Sequence, residues 1–190
     1  RLGVMLPRGV PMVLATLAGL KAGLVIVPID PGYPDERLAQ ILETAAVPVV
    51  VCAGAEPGAR LGRLCTLHRQ FVTRGLMLPP AQAASGITAP ALAKDPARPA
   101  VIVFTSGSTG RPKGAIIPHT ALVRLALGCF ADRPGPGDRI AQLASPGFDG
   151  AFIELWGALL NGAELVCPSA ALDRLEDFSN LLRDHQITRS

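Results

Sequence analysis

Short apolar runs of strand length alternate with stretches whose apolar residues recur at helical spacing, and this alternation leaves few folds open to the chain. Leu2–Leu6 is an apolar run stopped by Pro7. Pro11–Ala22 (PMVLATLAGLKA) predicts a helix, with Pro at its first position, Lys21 in its last turn and Gly23 just past its end. Leu24–Ile29 predicts a buried strand whose end Pro28 marks. Pro34–Ala45 predicts the next helix, with Asp35 and Glu36 suiting its N-terminal dipole, and Val47–Cys52 another strand. From Ala53 to Pro99 the sequence is rich in Ala, Gly and Pro and has little periodicity. Mostly irregular connection is expected there, with Arg69–Thr73 ambiguous. Strands are expected at Ala100–Phe104, Ala115–Ile117, Ile140–Leu143 and Glu164–Cys167, and helices at Thr120–Cys129, Gly150–Leu160 and Asp173–Asp184. No internal repeat is visible. The pattern predicts an α/β fold, a largely parallel sheet flanked by helices on both faces. Ligands of such sheets sit beyond the carboxyl ends of the strands.

Composition narrows the classes further. Hydrophobic residues make up 49% of the 190 residues and charged residues 17%, which suits a packed core and excludes a disordered chain. The first residue is Arg1 rather than Met, and Ser190 follows no terminal signal, so a piece of a longer polypeptide is expected. A net charge of +3, with the basic residues scattered, gives no footprint for nucleic acid. Cys52, Cys65, Cys129 and Cys167 lie far apart, without a C-x-x-C pair or a nearby His, and read as reduced thiols rather than metal ligands. No apolar run reaches the roughly 18 residues of a bilayer span, and no signal peptide is visible. The expectation is a cytoplasmic protein with no membrane partner and no resident metal site.

The loop after the strand Ala100–Phe104 carries the chemistry. Thr105-Ser106-Gly107-Ser108-Thr109-Gly110-Arg111-Pro112-Lys113-Gly114 offers four hydroxyls, an Arg, three Gly and one of the chain's three Lys. Glycines let backbone N–H groups turn onto an anion, hydroxyls donate to phosphate oxygens, and a Lys ammonium supplies a point charge. A polar hairpin loop would have the same composition, and both readings stand on the residues alone. The loop is not a G-x-x-x-x-G-K-[ST] element, since Pro112 precedes Lys113 and Gly114 follows it. A second candidate is Asp149, which precedes an apolar helix and reads as a helix cap or as a free carboxylate.

TSGSTGRPKG after a buried strand resembles the phosphate-binding signature of the adenylate-forming superfamily. Leu20-Lys21-Ala22-Gly23 through Val27-Pro28-Ile29-Asp30-Pro31-Gly32-Tyr33-Pro34, then Glu36-Arg37-Leu38, is similar to a segment typical of nonribosomal peptide synthetase adenylation domains. Phe148-Asp149-Gly150-Ala151, leading through Glu154-Leu155-Trp156-Gly157 to Asn161-Gly162-Ala163, is a third match, and the three stand in the family's order. The resemblance implies ATP-dependent activation of an amino-acid carboxylate to an aminoacyl-adenylate. The acyl group then passes to a phosphopantetheine thiol on a carrier-protein domain, with Mg²⁺ accompanying the ATP. It further implies phosphate binding by Thr105, Ser106, Gly107, Ser108, Thr109, Gly110 and Lys113. Asp149 would bind the substrate α-ammonium, with Phe148, Gly150 and Ile153 shaping the pocket; Ile153 shares the helical face of Asp149. An acyl- or aryl-CoA ligase and a non-catalytic nucleotide-binding remnant are the alternatives.

Some positions depart from the family or stay open. Pro146-Gly147 replaces the polar or aromatic residues usual before Phe148. His119 reads either as packing at a helix start or as a group near the nucleotide. Glu154, the one charge in an apolar helix, reads as buried and paired or as facing a cleft. The family's Tyr-Gly-Pro-Thr-Glu type segment is absent, Tyr33 being the only Tyr, as are the later ribose-binding Asp motif and the Lys-bearing lid. The expectation is therefore a partial adenylation domain over residues 1–190, the N-terminal subdomain without its C-terminal lid. It holds no catalytic residue of its own and is inactive in isolation.

Overall fold

In the computed structural model the residues described are 1–67, 74–77, 95–105, 111–128, 130, 132–168 and 175–189. Six strands form the main sheet: β1 (Leu2–Met5), β2 (Ile26–Pro28), β3 (Val49–Cys52), β4 (Arg74–Met77), β5 (Pro99–Thr105) and β6 (Lys113–Pro118). Their spatial order is β4-β3-β1-β2-β5-β6. All neighbours are parallel except the last pair, an antiparallel β5–β6 hairpin. Two further strands, β7 (Arg139–Ala141) and β8 (Glu164–Val166), pair in parallel as a separate two-stranded sheet.

The helices are α1 (Val10–Lys21), α2 (Asp35–Thr44), α3 (Ala55–Leu67), α4 (His119–Gly128), α5 (Gly150–Leu159) and α6 (Leu175–Asp184). Period-two alternation sends successive strand residues to opposite faces. Val4, Ile26, Val51, Val101 and Val103 pack with α1, α4 and α5, through Met12, Leu122 and Trp156 among others. Met5, Val27, Val50, Ile102 and Phe104 pack on the opposite face with α2 and α3, through Leu38, Ile41, Leu61 and Leu64. Burying both faces explains why the strands read as continuous apolar runs.

The region from Ala53 to Pro99 is more ordered than its composition predicts, because it contains α3 and β4. Pro57, Gly58 and Gly62 weaken the local helical signal. Burial of Leu61 and Leu64 against the sheet outweighs that propensity cost. The ambiguous piece Arg69–Thr73 lies outside the described residues.

Close packing fixes α1 on the sheet. A Cβ built at Gly19 would stand 2.5 Å from Ile26 Cδ1 and 3.0 Å from Leu2 Cδ2, so the helix lies flush against β1 and β2. Gly9, at the turn from β1 into α1, has φ 136°, a region where a side chain is strained.

Candidate functional site

The carboxyl ends of β1, β2 and β5 face the segment that leaves β7, and two cavities open there. The first, of about 230 Å³, draws its lining from three stretches of chain. Val103, Phe104 and Thr105 come from the end of β5, Tyr33 and Arg37 from the start of α2, and Gly147, Phe148 and Asp149 from the approach to α5. The second, of about 420 Å³, lies among Arg8, Asp30, Leu143 and Ser145.

The polar loop is closed at its neck by the hairpin ladder. Thr105 pairs with Lys113 and Phe104 with Gly114, so the loop between them stands at the exit of β5. A Cβ at Gly114 would lie 3.1 Å from both Ile102 Cγ2 and Phe104 Cζ, and its absence lets the Phe104 ring cross β6. Thr105 and Lys113 are exposed. Ser106, Gly107, Ser108, Thr109 and Gly110 lie outside the described residues.

Asp149 caps α5: one carboxylate oxygen accepts from the Gly150 amide at 2.9 Å. Its side chain is exposed and makes no ion pair with any described residue, and only one of its oxygens is engaged by the cap. Phe148 beside it is 59% exposed, which for an aromatic ring at a cavity mouth means an unfilled contact surface. Gly150 faces Ala144, whose Cβ is 3.4 Å from the position a Cβ would take. Gly150 and Ile153 stand on α5 outside the cavity lining.

Tyr33 and Arg37 join the site through a set of contacts spread along the chain. The guanidinium carbon of Arg37 lies 4.4 Å from the Tyr33 ring centroid. Arg60 of α3 donates to the carbonyls of Pro31 and Tyr33 and pairs with Asp35, fixing the turn that carries Tyr33. On the other side the Tyr33 hydroxyl occupies the place of a side chain at Gly147, where a Cβ would be only 2.0 Å from it. The Gly of Pro146-Gly147 is therefore a fitted partner of Tyr33.

Glu154 is half-buried and lines neither cavity. Its carboxylate accepts from the amides of Leu143, at 3.0 Å, and Ala144, at 2.9 Å, and so holds the segment between β7 and α5. Burial pushes its pKa above the ordinary carboxylate range, while the Ala144 and Leu143 amides and the Arg8 charge pull it partly back. Arg8 donates to the Leu143 carbonyl, Ser145 Oγ donates to Asp30, and the Gly9 amide donates to Gln142 Oε1 at 2.8 Å. This segment is stitched across the ends of β1 and β2, and it delivers Phe148 and Asp149 to the cavity. His119 opens α4 with its amide donating to the Arg98 carbonyl at 3.1 Å, and it lines neither cavity.

The family model for AMP-binding enzymes matches residues 1–189. The chain belongs to the AMP-binding enzyme family. Tyrocidine synthase 2 of Brevibacillus parabrevis is 34% identical over 188 residues, covering 97% of this chain and 5% of that protein. Phosphinothricin tripeptide synthetase PhsC of Streptomyces viridochromogenes is 35% identical over 189 residues, covering 98% of this chain and 17% of that protein. Among solved structures, the Klebsiella oxytoca NpsA N-terminal subdomain in complex with 3-hydroxybenzoyl-AMSN superposes with a TM-score of 0.77 at 24% identity. That match covers 98% of this chain and 45% of the NpsA chain. The fold is thus that of the N-terminal subdomain of an adenylation domain, and the chain spans only a small part of these curated relatives.

Within this AMP-binding chain, one space is lined by Thr105, at the neck of the Ser/Gly loop, by the cationic Arg37 and by the anionic Asp149. Such a space suits a ligand that is anionic at one end and cationic at the other. Among the described residues no three His, Cys, Asp or Glu side chains gather as metal ligands. Cys52 is buried and Cys167 partly so, and burial raises both thiol pKa values. Cys65 and Cys129 fall where side chains are not described. No helix among the described residues is long and apolar enough to cross a membrane. Arg60, which fixes Tyr33, does not stand out in the sequence because the helix carrying it does not; its place just before the Leu61 and Leu64 contacts is the only signal.

Proposed function

We propose that this chain forms the nucleotide- and substrate-binding part of an amino-acid adenylation domain. A substrate carboxylate oxygen attacks the α-phosphorus of ATP, an aminoacyl-adenylate forms and pyrophosphate leaves. The thiol of a carrier-protein phosphopantetheine then attacks the acyl carbonyl and releases AMP. Phosphoryl-type transfer of this kind depends on positioning and charge neutralisation more than on covalent help.

One observation carries the reading: Thr105, at the neck of the loop, and Asp149, with one oxygen free, line the same cavity. The loop residues 105–110 and Lys113 would hold the β- and γ-phosphates. Mg²⁺ would come with the nucleotide, on its phosphate oxygens. Asp149 would take the α-ammonium, with Phe148 beside it and Gly150 and Ile153 behind on α5. A charge-assisted hydrogen bond of this type contributes roughly 1.5–3 kcal/mol, so an acid without the ammonium binds correspondingly worse. The activity belongs to the full-length protein, with a carrier domain as partner; the 190 residues by themselves are read as inactive.

A second reading rests on the bond from the Gly150 amide to Asp149, which is complete without any ligand. Asp149 would then be a helix cap and the protein an acyl- or aryl-acid ligase. ATP–pyrophosphate exchange by the full-length protein over amino acids and plain carboxylic acids separates the two. Exchange with amino acids, reduced about 10–100-fold by Asp149→Ala, is the expected result. Exchange only with acids lacking an α-amino group would return Asp149 to capping, and a folded protein with no exchange would point to a remnant without chemistry.

A further inference from the structure

Arg37 has a buried Nε that meets no hydrogen-bond acceptor. No carboxylate among the described residues pairs with it. The other well-anchored arginines are different: Arg60, Arg139 and Arg189 have acidic partners, and Arg8 and Arg98 donate to carbonyls. Arg37 is instead laid over the Tyr33 ring and lines the cavity that Thr105 and Asp149 share. Its support is elaborate for an unpaired side chain. Arg60 holds the Tyr33 backbone from one side, and Gly147 leaves the space that the Tyr33 hydroxyl fills on the other.

A guanidinium stacked on an aromatic face keeps its in-plane N–H donors free, in a fork that matches phosphate oxygens. Partial removal from water without an anion of its own is unfavourable until an anion arrives. Asp149 already gives the cavity a negative wall, so the arriving anion belongs toward the Thr105 side, where the Ser/Gly loop begins. A substrate carboxylate clamped by a guanidinium would be a poorer nucleophile, whereas a leaving pyrophosphate gains from the added charge.

We infer that Arg37, held by Tyr33, is a second phosphate-binding cation of this site, contacting the β- and γ-phosphates of the bound nucleotide. This inference rests on the adenylation reading above.

The test compares two probes on the full-length protein by calorimetry. One is a non-hydrolysable ATP analogue, and the other a non-hydrolysable aminoacyl-adenylate analogue, which has no β- or γ-phosphate. Arg37→Gln is expected to weaken the ATP analogue about tenfold or more while leaving the adenylate analogue within about twofold. Adenylate binding also reports that the variant is folded. Tyr33→Phe keeps the ring and should behave as wild type; Tyr33→Leu and Gly147→Ala, which remove or displace the stack, should follow Arg37→Gln in direction. Equal weakening of both probes, or no weakening of either, would overturn the assignment while leaving the adenylation reading intact. Wild-type protein that binds neither probe would sink both.

Discussion

Glu154 is where a single side chain does most to shape the site without touching it. Its carboxylate supplies the acceptors for two consecutive amides in the segment that leads to Asp149. Replacing it by Leu leaves those N–H groups without acceptors and should cost about 1–3 kcal/mol of stability by urea denaturation. Glu154→Gln keeps an acceptor and should cost less. The pH dependence has a definite sign. Because burial raises the Glu154 pKa, the folded chain binds its proton more readily than the unfolded chain. Its contribution to stability therefore declines as pH rises from the ordinary carboxylate range through the raised value, and is level above it. Wild type should lose ground to Glu154→Gln across that window when urea midpoints are compared. Asp138 works in the opposite sense, its pKa lowered by the Gly135 amide, Thr188 and Arg189, but it is common to both proteins and drops out of the difference. Sequence alone leaves Glu154 undecided because its partners lie 10 and 11 residues upstream in an irregular segment, where no periodicity links them.

At the level of elements, the contact between α1 and the sheet sets two opposing effects against each other. Ala in place of Gly19 improves helix propensity by up to about 1 kcal/mol. Its methyl would also press on Ile26 Cδ1 and Leu2 Cδ2 in a close-packed layer, where overpacking costs roughly 1–3 kcal/mol. The second effect should win, so Gly19→Ala lowers stability by about 1 kcal/mol. Ile26→Val removes the nearer methyl, and in that background the Gly19→Ala change should be close to neutral; thermal unfolding of the four proteins in the cycle checks it. Elements such as α1, β5 and β6 are legible because their apolar runs are bounded by Pro or Gly. The helix α3 is not, since only Leu61 and Leu64 among its described side chains anchor it on the sheet and its glycines argue locally for a loop. The site is half legible for the same reason. The loop and Asp149 stand out as short motifs, whereas the Tyr33–Arg37 stack depends on Arg60 and Gly147, which only the folded chain brings near.

Over the whole molecule, the two sheets are joined by very few polar contacts among the described residues, and Gln142 is the most deeply placed of them. It is fully buried at the end of β7 and accepts from the Gly9 amide at the turn from β1 into α1. Gln142→Leu leaves the Gly9 N–H unsatisfied and should destabilise by about 1–3 kcal/mol. The larger signature is local: hydrogen exchange should quicken through residues 142–149 while Val101–Val103 at the centre of β5 stay protected. Faster exchange throughout β5 would mean that the two sheets unfold as one unit. Family membership and the α/β architecture follow from motifs and alternation, but the separation of β7–β8 from the main sheet does not. Strand-like runs are alike whichever sheet they join.

The hairpin that aims the polar loop also leaves β6 at the rim of the six-stranded sheet, with no described strand beyond it and Ile116 64% exposed. A rim of that kind is a template for main-chain pairing with another molecule. Pro118, which has no N–H to offer, and the charge of Lys113 blunt it at its two ends, and the middle is unguarded. Between those two ends, the stretch from Ala115 to Ile117 keeps main-chain groups available for one more strand, whether from elsewhere in the same protein or from another molecule.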